Sequence, residues 1–126
     1  MTDQALYKAA QNAMKNAYAP YSKFAVGAAL LAADGTVYTG VNIENASYPA
    51  GICAERTAFA KAISEGVRDF KAIAVAGSAG SAWPCGICRQ FMYEFSEDLR
   101  VIAGESEDAL KAYALKDLLP EGFRLL

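Results

Sequence analysis

The sequence predicts an α/β fold in which helices cover both faces of a mixed sheet. An early hairpin signal is followed by strand and helix patterns that alternate along the chain. The length, 126 residues, is that of one domain. No repeat, low-complexity tract or linker interrupts the chain, so residues 1–126 are predicted to form a single domain.

In the first half of the chain, the apolar pattern predicts two helices and a hairpin. Apolar residues recur at helical spacing in the first segment and stop before Pro20, whereas the next segment is a continuous apolar run typical of a buried strand. Asp34-Gly35 is a strong hairpin signal, and Gly66 is typical of a helix C-terminus. The predicted elements are a helix at 3–18, strands at 24–32 and 36–43, a polar loop at 42–52 and a helix at 53–65.

In the second half, short strands alternate with helical segments. KAIAVAG and LRVIAG are short apolar strands, GSAGSAW has the composition of a flexible loop, and Pro84 is favoured in the first turn of a helix. The predicted elements are a strand at 71–77, a loop at 77–83, a helix at 84–95, a strand at 99–104, a short strand near Tyr113 and a helical turn at 116–120.

The composition narrows the classes of function. A net charge of −2 with scattered Lys and Arg argues against a dedicated nucleic-acid binder. The chain shows neither a membrane-spanning apolar run nor a signal peptide, which predicts a cytoplasmic protein without a membrane partner. Three cysteines are an odd number and do not predict a disulfide framework. Because there is no His, proton chemistry near neutral pH must come from a carboxylate, a perturbed Lys or Cys, or a metal-bound water.

The three cysteines are typical of a metal site. Cys85 and Cys88 are spaced so that both sulfurs project from one face of a helix start, and Cys53 begins the other predicted helix. Helix N-termini stabilise thiolates, which are the form that zinc binds. A single Cys is more often a small buried apolar residue, and a C-x-x-C pair can be a redox pair. Three thiols at helix starts favour zinc over both alternatives.

Three thiolates leave one coordination position open, which is typical of a catalytic zinc site. Only a carboxylate or another subunit could supply a fourth ligand. Arg56 comes three residues after Cys53. It is predicted to donate hydrogen bonds to sulfur, which would offset the negative charge of three thiolates. Its alternative role is a surface salt bridge. Glu55 is the predicted proton carrier, because a carboxylate beside a metal-bound water can accept and return its proton. Its alternative is a solvated helix glutamate.

These residues resemble the cytidine deaminase family of zinc hydrolases in its small, three-cysteine form. The likeness covers nearly the whole chain: YSKFAVGAAL, GVNIENASYP, CAERTA and PCGICRQ occur in that order. The resemblance implies a three-layer α/β/α sandwich with a mixed sheet of about five strands, one zinc ion per chain and a homotetramer. It also implies hydrolytic deamination of cytidine, and of deoxycytidine, in pyrimidine salvage, with Glu55 moving the protons.

The resemblance further implies a set of residues that contact the nucleoside: Phe24, Asn42, Glu44, Ala54 and Phe123. Phe24 would pack against the pyrimidine, although a strand Phe is otherwise an ordinary core residue. Asn42 and Glu44 point the same way in an extended segment and suit ribose hydroxyls. The alternative is a loop-capping role, which suits Asn45 better than Glu44. Phe123 would reach a neighbouring subunit's site, and the alternative is packing of the C-terminal tail.

Three other functions compete with this prediction. A deaminase of another amino-pyrimidine, such as the blasticidin type, shares the cysteine and glutamate motifs, but the segment NIENASYP favours a nucleoside. A polynucleotide deaminase is disfavoured because phosphate contacts demand clustered Lys or Arg. A binding module with a structural zinc belongs to a different class and would lack turnover.

Overall fold

The computed structural model describes residues 1–126 and contains four helices and five strands. In chain order, the elements are α1 (Asp3–Ala13), β1 (Val26–Ala32), β2 (Val37–Val41), α2 (Ala54–Ser64), β3 (Phe70–Gly77), α3 (Gly86–Tyr93), β4 (Arg100–Gly104), β5 (Leu110–Ala114) and α4 (Leu115–Leu118). Short 3-10 turns lie at Met14–Asn16 and Tyr48–Ala50. None of the helices has the length and apolar character needed to cross a membrane.

The five strands form one mixed sheet in the order β2-β1-β3-β4-β5. Only β3 and β4 pair in parallel, and α3 lies in the connection between them. The other three pairs are antiparallel, including the β1–β2 hairpin that turns at Asp34-Gly35. The predicted fold class is therefore confirmed, and each predicted strand is present.

Helices cover the two faces of the sheet with different side chains. On one face, α1 buries Leu6 and Tyr7 against alanines of β1 and β3. On the other face, α2 and α3 bury Phe59 and Met92 against larger strand residues such as Ile73. Alternate residues of a strand point to opposite faces, so the continuous apolar runs of β1 and β3 serve both cores.

Two glycines bring the helices into direct contact with the sheet. A side chain at Gly27 would place Cβ 2.1 Å from the Ala10 carbonyl oxygen in α1. A side chain at Gly40 would place Cβ 2.4 Å from the Ala58 nitrogen in α2. Strand β2 therefore fixes α2 by backbone contact, with no side chain in between.

Several element boundaries differ from the prediction: β2 (Val37–Val41) and α3 (Gly86–Tyr93) are shorter than the predicted 36–43 and 84–95, and two further differences have a local cause. The first helix was predicted to reach residue 18, but α1 ends at Ala13, because Tyr18 leaves the helical path and pairs with the chain near Ile43. The first strand was predicted to begin at residue 24, but it begins at Val26. The amide of Ala25 donates to the Ser78 hydroxyl at 3.0 Å, so a side chain replaces a strand partner there.

Candidate metal centre and substrate cavity

Two helix N-termini meet at the three cysteines. Cys53 directly precedes α2 and Cys85 directly precedes α3, and both have the extended backbone of a residue that caps a helix. Cys88 lies in the first turn of α3 and is fully buried. Neither capping residue uses its side chain to bond the helix, so the sulfurs are free to face one another. The prediction that all three thiols lie at helix starts is confirmed.

The three sulfur atoms have the spacing of a tetrahedral zinc site. They all lie within 4.8 Å of one another, and the Sγ atoms of Cys53 and Cys85 are 4.0 Å apart. Zinc bonds of about 2.3 Å in a tetrahedron place two sulfurs about 3.8 Å apart. The three thiols therefore fit one zinc ion.

Neighbouring groups favour the ionised form of the Cys53 sulfur. A hydrogen bond shared with Cys88 lowers the pKa of Cys53 to about 5, and the positive charge of Arg56 lowers it as well. The same shared hydrogen bond raises the pKa of Cys88. Arg56 donates from Nη2 to the Cys53 sulfur at 3.6 Å, which matches the charge-offsetting contact predicted for it.

Glu55 is a buried carboxylate beside this group. Only 4% of its surface is exposed, although most glutamates at a helix start are solvated. Burial raises the pKa of Glu55 to about 7, and the charge of Cys53 acts in the same direction. A carboxyl group that loses its proton near neutral pH suits a proton acceptor and donor.

A cavity of about 370 Å³ extends from Cys53 and Cys85 to the start of β1 and the end of β2. It is lined by residues from four segments: Ser22, Phe24, Val26, Asn42, Glu44, Cys53, Ala54, Glu55, Ser81, Ala82, Trp83 and Cys85. The cavity therefore brings together all of the predicted nucleoside contacts except Phe123. The ring of Phe24 lies against Gly77, where a side chain would place Cβ 2.6 Å from it.

A second cavity, of about 420 Å³, opens on the other side of Glu44. The two cavities share Ser22, Asn42, Glu44 and Cys53. Tyr21 and Tyr48 line the second cavity with their rings 6.0 Å apart, edge to face, and both are exposed.

Hydrogen bonds fix both side chains predicted to contact ribose. Asn42 accepts from the Val26 amide at 2.9 Å and donates to the Phe24 carbonyl at 2.8 Å. Glu44 accepts from the amides of Tyr21 and Ser22 at 2.9 and 3.1 Å, and from the Ser22 hydroxyl. These bonds lower the pKa of Glu44, with the Ser22 hydroxyl as the largest cause. A carboxylate has about four acceptor positions, so one position on Glu44 stays free.

The C-terminal segment is held by α3, and the ring of Phe123 stays outside the cavity. Gln90 donates to the Phe123 carbonyl at 2.9 Å, and Arg89 donates to the Leu118 carbonyl at 2.7 Å. Arg89 also donates to the Pro84 carbonyl at 2.7 Å. Phe123 is 62% exposed.

The sequence prediction missed several residues that line the cavity. Ser81, Ala82 and Trp83 belong to a segment predicted only as a flexible loop. Trp83 packs on Tyr113 with ring centroids 5.4 Å apart. The single Trp of the chain, directly before Pro84-Cys85, is the sequence signal that could have indicated this part of the cavity lining. Ser22 offers no signal beyond its nearness to Phe24.

Comparison with known proteins identifies the family of this chain. The family model described as the cytidine and deoxycytidylate deaminase zinc-binding region matches residues 1–105. The chain belongs to the cytidine and deoxycytidylate deaminase family. A cytidine deaminase of Sporosarcina psychrophila is 48% identical over 98% of this chain and 92% of its own length. A cytidine deaminase of Halalkalibacterium halodurans is 50% identical over 98% of this chain and 95% of its own.

A solved structure of the same family matches the fold. The crystal structure of cytidine deaminase from Burkholderia pseudomallei superposes with a TM-score of 0.92 and 47% identity, over 98% of this chain and all of that one. The predicted cytidine deaminase family, hydrolytic deaminase class, α/β sandwich and zinc cofactor are confirmed. Within this deaminase chain, the three cysteines are close enough together to hold the zinc.

Proposed function

We propose that the chain is a zinc-dependent cytidine deaminase, which converts cytidine and deoxycytidine with water to uridine and deoxyuridine plus ammonia. The observation that carries the proposal is the buried carboxylate of Glu55 beside three converging thiols, in a cavity large enough for a pyrimidine ring. The names of the relatives favour cytidine over blasticidin S and over a non-catalytic zinc module. The reaction suits pyrimidine salvage in the cytoplasm.

Cys53, Cys85 and Cys88 would hold the zinc through three thiolates. When bound, the zinc would supply Lewis-acid activation of the attacking water. Arg56 reduces the electron density on the Cys53 sulfur through its hydrogen bond at 3.6 Å. Ala54 begins α2 between Cys53 and Glu55 and is fully buried, so it forms the floor against which the pyrimidine lies.

Glu55 moves the protons. It accepts one proton from the attacking water and delivers it to N3 of the cytosine ring while the water oxygen bonds to C4. It then carries the second water proton to the amino group, the C4–N bond breaks, and ammonia leaves. Because the carboxylate is buried, bulk water does not compete for these protons.

Phe24, Asn42 and Glu44 would hold the nucleoside. The ring of Phe24 offers a flat apolar surface to the pyrimidine. Glu44 offers one free acceptor position to a ribose hydroxyl, and Asn42 keeps Phe24 and Val26 in place through two backbone hydrogen bonds.

The site is proposed to be completed in a homotetramer, with Phe123 entering a neighbour's cavity. The ring of Phe123 is exposed and lies outside the cavity of its own chain, while Gln90 fixes its backbone. Tyr48, beside the second cavity, is 77% exposed, and Tyr21 next to it is also exposed. Large aromatic side chains so exposed at a cavity mouth favour burial against another subunit.

A substrate panel on zinc-loaded protein tests the reaction. Cytidine, deoxycytidine, cytosine, blasticidin S and a cytosine-containing oligonucleotide are assayed by ammonia release and by the fall in ultraviolet absorbance. Turnover of both nucleosides, with slower but measurable turnover of free cytosine and little of blasticidin S or the oligonucleotide, is the expected result. Turnover of blasticidin S alone, or of none of the five, would contradict the proposal.

Mixed oligomers test whether the site is shared. A Glu55→Gln subunit keeps Phe123, and a Phe123→Ala subunit keeps Glu55. Co-expressed, the two should form some sites that contain both groups, so activity should exceed the sum of the separate variants. Sedimentation must show mixed tetramers. Mixed tetramers without extra activity, or a monomer, would count against the shared site.

A further inference from the structure

The segment before β1 wraps around the carboxylate of Glu44. Two consecutive amides, from Tyr21 and Ser22, donate to one carboxylate oxygen at 2.9 and 3.1 Å. The hydroxyl of Ser22 donates to the other oxygen. Both oxygens of Glu44 are therefore held by one short stretch of backbone and one side chain.

The same hydroxyl also holds Phe24. The Phe24 amide donates to the Ser22 oxygen at 3.1 Å. A hydroxyl has a single proton, and an amide can only donate, so the proton of Ser22 must point to Glu44. The hydroxyl thus links the carboxylate and the backbone of the aromatic residue in one chain of hydrogen bonds with a fixed direction.

The backbone between these residues is held in an uncommon conformation. Lys23, between Ser22 and Phe24, has φ of 61°, in the left-handed region that residues with a side chain seldom adopt. Such a conformation persists only where the surrounding contacts enforce it. The amide of Lys23 donates to the Ala19 carbonyl at 3.1 Å, and Ser22 supplies the contacts on both sides of it.

Asn42 does not duplicate this role. It bonds the Phe24 carbonyl and the Val26 amide, and neither contact involves the Phe24 amide or Glu44. Ser22 is also one of the four residues that line both cavities. Only the Ser22 hydroxyl contacts both the acidic and the aromatic side of the proposed nucleoside site.

We propose that Ser22 is a positioning residue for nucleoside binding, which aligns the sugar contact at Glu44 with the ring contact at Phe24. This inference rests on the proposed function, because it takes those two residues as nucleoside contacts. Neither hydrogen bond of the Ser22 hydroxyl goes to the substrate. Ser22 acts by fixing the distance and direction between Glu44 and Phe24, the two residues that contact the nucleoside.

The test compares Ser22→Ala with the conservative Ser22→Thr, each zinc-loaded. Ser64→Ala, an exposed serine at the far end of α2, is the matched control. KM and kcat are measured for cytidine, and the dissociation constant of uridine by calorimetry. In Ser22→Ala, both KM and that constant should rise about tenfold, as expected for a lost hydrogen bond to a charged group, while kcat, zinc content and thermal midpoint change little. Ser22→Thr and Ser64→Ala should match the wild type.

A second arm places Ser22→Ala in a Glu44→Ala background. Because the hydroxyl acts largely through Glu44, its removal should then change KM by about twofold or less. A full tenfold loss in that background, an unchanged KM in the single variant, or a Ser22→Thr variant as weak as Ser22→Ala would overturn the proposal. Wild-type protein that neither binds uridine nor deaminates cytidine would instead contradict the proposed function.

Discussion

The two ends of the cavity are built in different ways. At the metal end, Cys53, Glu55 and Cys85 stand at the starts of two helices, and the carboxylate is almost fully buried. At the other end, where the sugar is proposed to bind (the sugar end), Glu44 stands in a loop and is held by amides and a hydroxyl of another loop. The metal end is fixed by helix packing, whereas the sugar end is fixed by hydrogen bonds between exposed segments.

This difference assigns different tasks to the two ends. In the proposed reaction, groups at the metal end would act on the reacting atoms and should affect every substrate equally. Groups at the sugar end would contact only the sugar and should affect nucleosides alone. Substitutions at each end therefore test whether the two ends have these separate roles.

Cys85→Ala should have the largest effect, because it removes a ligand of the proposed zinc site. Zinc content, measured by elemental analysis, should fall from about one per chain to near zero, with loss of activity on every substrate. The thermal midpoint should fall too, since binding is coupled to folding around the thiolates. The control is Ile87→Ala, an exposed residue on the same helix turn. Full zinc in Cys85→Ala would remove Cys85 from the ligand set.

Glu55→Gln should keep zinc and lose about 10²–10⁴-fold in kcat, because the amide cannot accept a proton. The loss should be the same for cytidine and for cytosine, as expected of a group at the metal end. Glu65→Gln, at the exposed end of the same helix, is the matched control. Near-normal turnover by Glu55→Gln would exclude this carboxylate as the proton carrier.

Glu44→Ala should lower kcat/KM for cytidine by about 10–100-fold, because a hydrogen bond from the sugar to a charged acceptor is lost. Turnover of free cytosine, which has no sugar, should change far less. Asn45→Ala is the control, since its side chain bonds only the Ser47 amide two residues later in the same loop. An equal loss for cytidine and cytosine would assign Glu44 a structural role and remove the distinction between the two ends.

Gly40→Ala should have the smallest effect on activity and test the packing of the metal end. The added Cβ would meet the backbone of Ala58 and Ala54 in α2 at 2.4 and 2.5 Å, so the helix must shift. Overpacking of this kind costs about 1–3 kcal/mol in the free energy of unfolding, measurable by urea denaturation. Gly86→Ala, whose Cβ meets nothing within 4 Å, should be neutral. Wild-type stability in Gly40→Ala would show that α2 is not fixed by this contact.

The sequence predicted the metal end more fully than the sugar end. Cysteine spacing and helix starts are local features, so Cys53, Cys85 and Cys88 were found from the residues alone. Glu44 and Phe24 came from family resemblance, because nothing local distinguishes a loop acid or a strand Phe. Ser22 was missed, since its role depends on contacts across 22 residues of sequence. The early end of α1 was missed for the same reason, as the pairing of Tyr18 with Ile43 is a tertiary contact.

The attachment of the C-terminal segment to α3 makes that segment an external reporter of the metal centre. The helix that carries Cys88 also holds the carbonyls of Leu118 and Phe123 through Arg89 and Gln90. A disturbance of the first turn of α3 would loosen these two attachments and release the last residues. Trimming by a carboxypeptidase past the exposed Leu125 and Leu126, as far as Phe123, should therefore be slow in zinc-loaded protein and fast after chelation, which would follow the metal from outside without a substrate or a dye.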